Sequence, residues 1–160
     1  MPIDSITGLP IHPLVVHAAV VLVPLAVLAT VGLGWRERWR ASLSPWFALV
    51  AWGAWAFAYL AVLSGGPFER DVRQIASDLG NPRPRFGEHP ELGQSAALLA
   101  FMFALACTAL FVSERWGKRY SLPTWAPTAI YAGTALLAAP TLLYILRAGH
   151  TGAKLVWGTP

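Results

Sequence analysis

The residues of this chain whose type could do chemistry are its four histidines, His12, His17, His89 and His150. A neutral imidazole is a common transition-metal ligand through one ring nitrogen. A b-type haem needs one or two such imidazoles on facing helices in an apolar cleft. His17 and His89 fit that need best, because each lies near the end of a different long apolar stretch. They are the expected axial ligands. His12 and His17 are five residues apart, so one continuous helix would point them about 140° from each other. His12 and His150 therefore form a second, outer tier that could hold a second haem, a metal or a propionate. Each histidine also has a plain reading, as a polar group satisfied at the level of the lipid headgroups.

The neighbours of the histidines favour a site. His17 falls inside an apolar helix, where a polar residue is costly and usually faces the bundle interior. Glu88, His89 and Glu91 cluster before the third apolar stretch, and Gly149-His150-Thr151-Gly152 puts a histidine between glycines that permit close backbone approach. A bare Zn²⁺ or Cu²⁺ ion would accept the same imidazoles, although no His-x-His spacing is present. Cys107, the one cysteine, lies within an apolar stretch and reads as a small buried group. A lone cysteine excludes intramolecular disulfides and cysteine-built zinc or iron–sulfur sites. No Walker loop, dinucleotide glycine motif or Ser/His/Asp set is present.

Four helices must position these groups. Charged residues are only 12% of the 160 residues and apolar ones 56%, far from a soluble composition. Four apolar spans run over about 14–34, 46–64, 92–113 and 126–146, each long enough to cross a hydrocarbon core of about 30 Å. Backbone hydrogen bonding in lipid then requires helices. The expected fold is an all-α integral membrane four-helix bundle, up-down-up-down, forming a single transmembrane domain over 1–160. Pro45 and Pro127 are expected near helix starts, and Pro24 and Pro140 inside spans 1 and 4. Trp35, Trp39, Trp116, Trp125 and Trp157 flank the spans as an aromatic belt. The first span has no basic residue before it and is too long for a signal core, so it is expected to be retained.

The short connections Trp35–Pro45 and Glu114–Trp125 together hold six basic and two acidic residues. The positive-inside rule places them in the cytoplasm, with both termini, the 65–91 loop and all four histidines outside. In that loop Phe68, Val72, Ile75 and Leu79 recur at helical spacing. They predict a short amphipathic helix on the membrane surface or across the bundle end. The net charge of +4 is spread over inter-span blocks, so nucleic acid is not an expected partner. The lipid bilayer is. Ala51, Ala54, Ala58 and Ala61 form a small-residue stripe, as do Ala97, Ala100, Ala104 and Thr108. Both predict close helix packing, or else room for a flat cofactor. Trp46, Trp52, Trp55 and Tyr59 load span 2 with aromatic rings suited to packing, lipid contact or a haem wall.

Ile11-His12-Pro13-Leu14-Val15-Val16-His17, together with the run from Arg147 to Trp157 around Gly149-His150-Thr151-Gly152, resembles the DUF2231 group of small bacterial membrane proteins. Phe-Pro commonly follows the first histidine pair in that group; here Ala18-Ala19 follow, with Pro24 further on. The resemblance implies four spans in a bacterial inner membrane. Related domains are fused to Rieske or cytochrome c modules, which points to respiratory redox chemistry. The expected function is therefore a haem b protein passing electrons between a membrane quinol or respiratory-chain protein and an outer-side partner. The alternatives are a non-catalytic subunit or assembly factor docking through the alanine stripes, and a divalent-metal binding protein.

Overall fold

A computed structural model describes residues 5–6, 9–81 and 84–157. Two short strands, β1 (Ser5–Ile6) and β2 (Leu9–Pro10), pair antiparallel just ahead of the first helix. Four helices follow: α1 (Ile11–Gly34), α2 (Glu37–Asp78), α3 (His89–Trp116) and α4 (Ala126–Trp157). All four are long and apolar enough to cross a membrane. Successive helices run antiparallel. Helix α1 packs on α2 and α4, and α3 packs on the same two, so α1 and α3 lie diagonally across the bundle. The start of α1, the end of α2, the start of α3 and the end of α4 share one end, called here the terminal end.

The bundle is small inside and large outside. Ala19, Ala26, Ala54, Ala100 and Ala104 are almost fully buried, while Val21, Leu28, Leu98, Leu136 and Leu143 face outward. Lipid offers leucine no reason to leave it, so small residues that let backbones approach decide the interface. Both predicted alanine stripes pack this way: Ala51, Ala54 and Ala58 on α2, and Ala97, Ala100 and Ala104 on α3, are buried. Cys107 is buried among them, with its thiol 3.8 Å from the Thr30 hydroxyl.

Helix α2 departs from the expectation of a separate amphipathic helix in the 65–91 loop. Phe68, Val72 and Ile75 belong to α2, which continues through Gly65-Gly66-Pro67 without a break. His12 accounts for the continuity: it packs on Ser64 and Gly65 before the proline and stacks on Phe68 after it. At 42 residues, α2 is about 60 Å long, against about 40–45 Å for a whole bilayer. It is therefore longer than the bilayer is thick, and its polar last turns lie past the apolar span 46–64. Helix α2 also begins earlier than expected. Pro45 sits in its interior instead of at its start, and most of the short basic connection is helical. Helix α4 likewise runs eleven residues past position 146 and takes in His150.

The end opposite the termini is held by charge. Arg40 and Glu114 form a buried ion pair between α2 and α3. Arg40 also donates to Thr128 Oγ1 (3.3 Å) and lies over the Tyr131 ring on α4. Tyr131 donates its hydroxyl to the Val31 carbonyl of α1 (2.7 Å), so one cluster ties all four helices. Arg40 is thus partnered, not a free topogenic charge. Its partner Glu114 was in the same tally, so the basic excess of the two short connections is unchanged.

A buried charge stripped of its partner is strongly destabilising, whereas an apolar pair of similar volume is close to neutral. Glu114→Ala should lower unfolding stability in detergent by about 3–5 kcal/mol. Arg40→Met combined with Glu114→Leu should recover most of that loss in the same unfolding assay.

Candidate functional site

The first turn of α1 and the first turn of α3 each contain His-Pro, His12-Pro13 and His89-Pro90. Proline is tolerated there because the first N–H groups of a helix have no partner within it. It also fixes where the helix begins, and so where the histidine before it stands. Both histidines turn inward at the terminal end. Although α1 and α3 are diagonal, the two rings meet with centroids 6.4 Å apart and planes at 83°.

Each ring is anchored on the helix that follows its own. His12 Nδ1 lies 3.1 Å from the Ala61 carbonyl and 3.0 Å from Ser64 Oγ on α2. His89 Nδ1 lies 3.0 Å from the Ala148 carbonyl and 3.2 Å from Thr151 Oγ1 on α4. A carbonyl only accepts, so Nδ1 carries the proton in both rings and donates it. Both Nε2 atoms then keep a lone pair, and no hydrogen bond reaches either one among the described residues. Ser64 donates its own hydroxyl proton to the Ala61 carbonyl that His12 uses, and the Thr151 hydroxyl lies 3.0 Å from both the Ala148 carbonyl that His89 uses and the Arg147 carbonyl. A ring N–H fixed on a backbone carbonyl, with the other nitrogen free, is the arrangement that metal-ligating histidines show.

The rings sit against glycines. A Cβ on Gly152 would lie 2.8 Å from His89 Cε1, and one on Gly65 would lie 3.4 Å from His12 Cε1. Phe68 closes the far side of His12 by stacking at 5.3 Å. Beside His12 is a cavity of about 10 Å³ reached by Ile11, Ser64, Pro67 and Asp71. That is room for about one water.

The other two histidines lie apart from this pair. His17 is exposed, and its Nδ1 donates to the Pro13 carbonyl of its own helix (2.6 Å). The helix is continuous from His12 to His17, and the expected divergence between them points one ring in and the other out. His150 is exposed on α4, about 100° around the helix from Thr151. Spacing therefore favoured His17 with His89, whereas the structure brings together His12 and His89.

The profile of the family described as "Predicted membrane protein (DUF2231)" matches residues 8–159, nearly the whole chain. The chain belongs to the DUF2231 family. No curated protein and no solved structure matches it. The family description adds membrane residence to the four spans and assigns no activity.

Within this DUF2231 chain, sequence reasoning missed Ser64, Gly65, Thr151 and Gly152 as partners of the histidines. None is ionisable; Ser64 read as the last residue of span 2 and Gly65 as the first of the 65–91 loop. The available signal was the second His-Pro, which marks His89 as a counterpart of His12. The heavy aromatic load of α2 also takes a definite place. Trp52 donates to Thr108 Oγ1 on α3 (2.9 Å) and packs edge-on against Trp55 and Phe101. Trp55, Tyr59, Gln94 and Phe101 border an open groove of about 450 Å³ between α2 and α3.

The two glycines should differ on substitution. Gly152→Ala forces a methyl group into the His89 ring, and overpacking of that kind costs about 1–3 kcal/mol. Gly65→Ala makes a contact that a small ring shift absorbs. Thermal unfolding in detergent should therefore show a clear loss for Gly152→Ala and little change for Gly65→Ala.

Proposed function

We propose that this protein is a membrane redox protein that holds a b-type haem iron between His12 and His89 at its terminal end. The observation that carries this reading is the ring pair: two imidazoles from diagonal helices, each with Nδ1–H fixed on a carbonyl and Nε2 free. Anchoring of this kind sets the tautomer and raises the basicity of the ligating nitrogen.

The number of donors supports haem over a bare ion. No group of three or more His, Cys, Asp or Glu side chains able to hold a metal occurs among the described residues. Zinc sites take three or four protein ligands, whereas a porphyrin supplies the equatorial ligands itself and asks the protein only for axial ones. Two imidazoles meet that demand. The cavity beside His12 is far smaller than a porphyrin and is not bordered by His89, so a bound haem would need the helix ends around the two rings to open. A bound haem would supply one-electron chemistry at this end. His12 and His89 would hold the iron, and the glycines behind them would let the rings rest on helix backbone.

In this reading the positive-inside rule sets the terminal end outside a bacterial cytoplasmic membrane. The electron donor would be a membrane quinol or a respiratory-chain protein. The acceptor would be a protein on the outer side, where the polar last turns of α2 lie past its apolar span. A second reading, a bare copper or zinc ion on the same two rings, needs no room for a macrocycle. Metal analysis separates the two.

Protein produced with haem available should purify with a Soret band and a reduced α-band. His12→Ala and His89→Ala should each remove the six-coordinate spectrum, and His17→Ala and His150→Ala should keep it. Purification without haem, or a spectrum that depends on His17 and not on His12, overturns the proposal.

A further inference from the structure

The two histidines are held by the same local sequence. On α2 the partner of His12 is Ala61-Val62-Leu63-Ser64-Gly65, and on α4 the partner of His89 is Ala148-Gly149-His150-Thr151-Gly152. Both are Ala-x-x-Ser/Thr-Gly. In each the alanine carbonyl and the hydroxyl oxygen accept from Nδ1, the hydroxyl reaches back to that carbonyl (Thr151 also to the Arg147 carbonyl, 3.0 Å), and the glycine lies under Cε1. Each histidine is followed by proline at the start of its helix. The hairpin α1–α2 and the hairpin α3–α4 therefore close by one and the same device. Both run in the same direction through the bundle, as parallel repeats about an axis along the membrane normal do. The rings meet across the diagonal, where such an axis would pass.

We infer that the site is built from two equivalent half-sites, in which Ser64 and Thr151 are positioning residues acting through His12 and His89. This inference rests on the ligand role proposed above for the two rings. Each hydroxyl does two things. Its oxygen gives the Nδ1 proton a second acceptor, which holds the ring plane. Its own proton goes to a backbone carbonyl of its own helix, so it does not compete for the ring nitrogen as a donor. Losing the hydroxyl leaves one acceptor, frees the ring to turn and makes Nε2 a weaker donor. Removal of such a partner typically lowers metal affinity by about 10–100-fold. Equivalence adds a sharper demand: the two losses must match.

The test compares full-length Ser64→Ala and Thr151→Ala with Ser64→Thr and Thr151→Ser. In the metal-free protein, imidazole ¹⁵N–¹H spectra should show both rings protonated at Nδ1. Ser64→Ala should shift the His12 signal alone and Thr151→Ala the His89 signal alone. In the haem-loaded protein, each alanine variant should weaken haem binding about 10-fold and raise the midpoint potential by a similar amount. The Ser/Thr exchanges should leave both unchanged. The inference is overturned if either ring is protonated at Nε2, if neither alanine variant moves its histidine signal, or if only one variant moves the potential. If the parent binds no haem, the redox reading fails while the metal-free spectra still decide the half-sites.

Discussion

The structure depends on the need of an imidazole N–H tucked between helix ends for an acceptor. His12 and His89 are half-buried, and a ring proton shut off from both water and protein acceptors costs about 1–3 kcal/mol. The available acceptors are carbonyls near the ends of α2 and α4. A helix carbonyl already takes the N–H four residues on, but it has a second lone pair. Glycine four residues beyond each alanine, Gly65 and Gly152, clears the path by which the ring comes down on the backbone. That constraint brings α1 against α2 and α3 against α4 at the terminal end. It also turns both Nε2 atoms away from their own carbonyl partners.

The opposite end is organised differently. There the Arg40–Glu114 pair, Thr128 and Tyr131 lock the helices with charge. Between the two ends the alanine interior offers close packing and no wide space. The bundle thus has one locked end and one end whose polar groups are satisfied yet retain donor capacity. Helices α1 and α3 touch each other far less than either touches α2, so the terminal end rests on the two histidine contacts while the ionic cluster holds the opposite end.

Much of the fold was legible in the sequence because lipid imposes simple rules. Charge segregation and span length gave four helices, and the alanine stripes gave their contact faces. The helix ends were less legible. The Gly-Gly-Pro at 65–67 reads as a break by local propensity, but the packing of His12 against Ser64, Gly65 and Phe68 carries α2 straight through it. Placing His12 outside span 1 had the same origin, because a hydropathy boundary marks where lipid begins and not where the helix does. The site was legible in its residue types and in the divergence of His12 from His17. Which of the two points inward was not, since that depends on the rotation of α1 against α2. The serine and threonine partners carry no charge and show themselves only through the repeated pattern.

The central claim is that His12 and His89 together form one ligand set. Pulsed electron paramagnetic resonance of the oxidised, loaded protein, labelled with ¹⁵N in its histidine rings, tests it most directly. The account predicts couplings from two histidine nitrogens, one assigned to His12 and one to His89. Coupling to a single histidine, or to His17 or His150 in place of either, would contradict it.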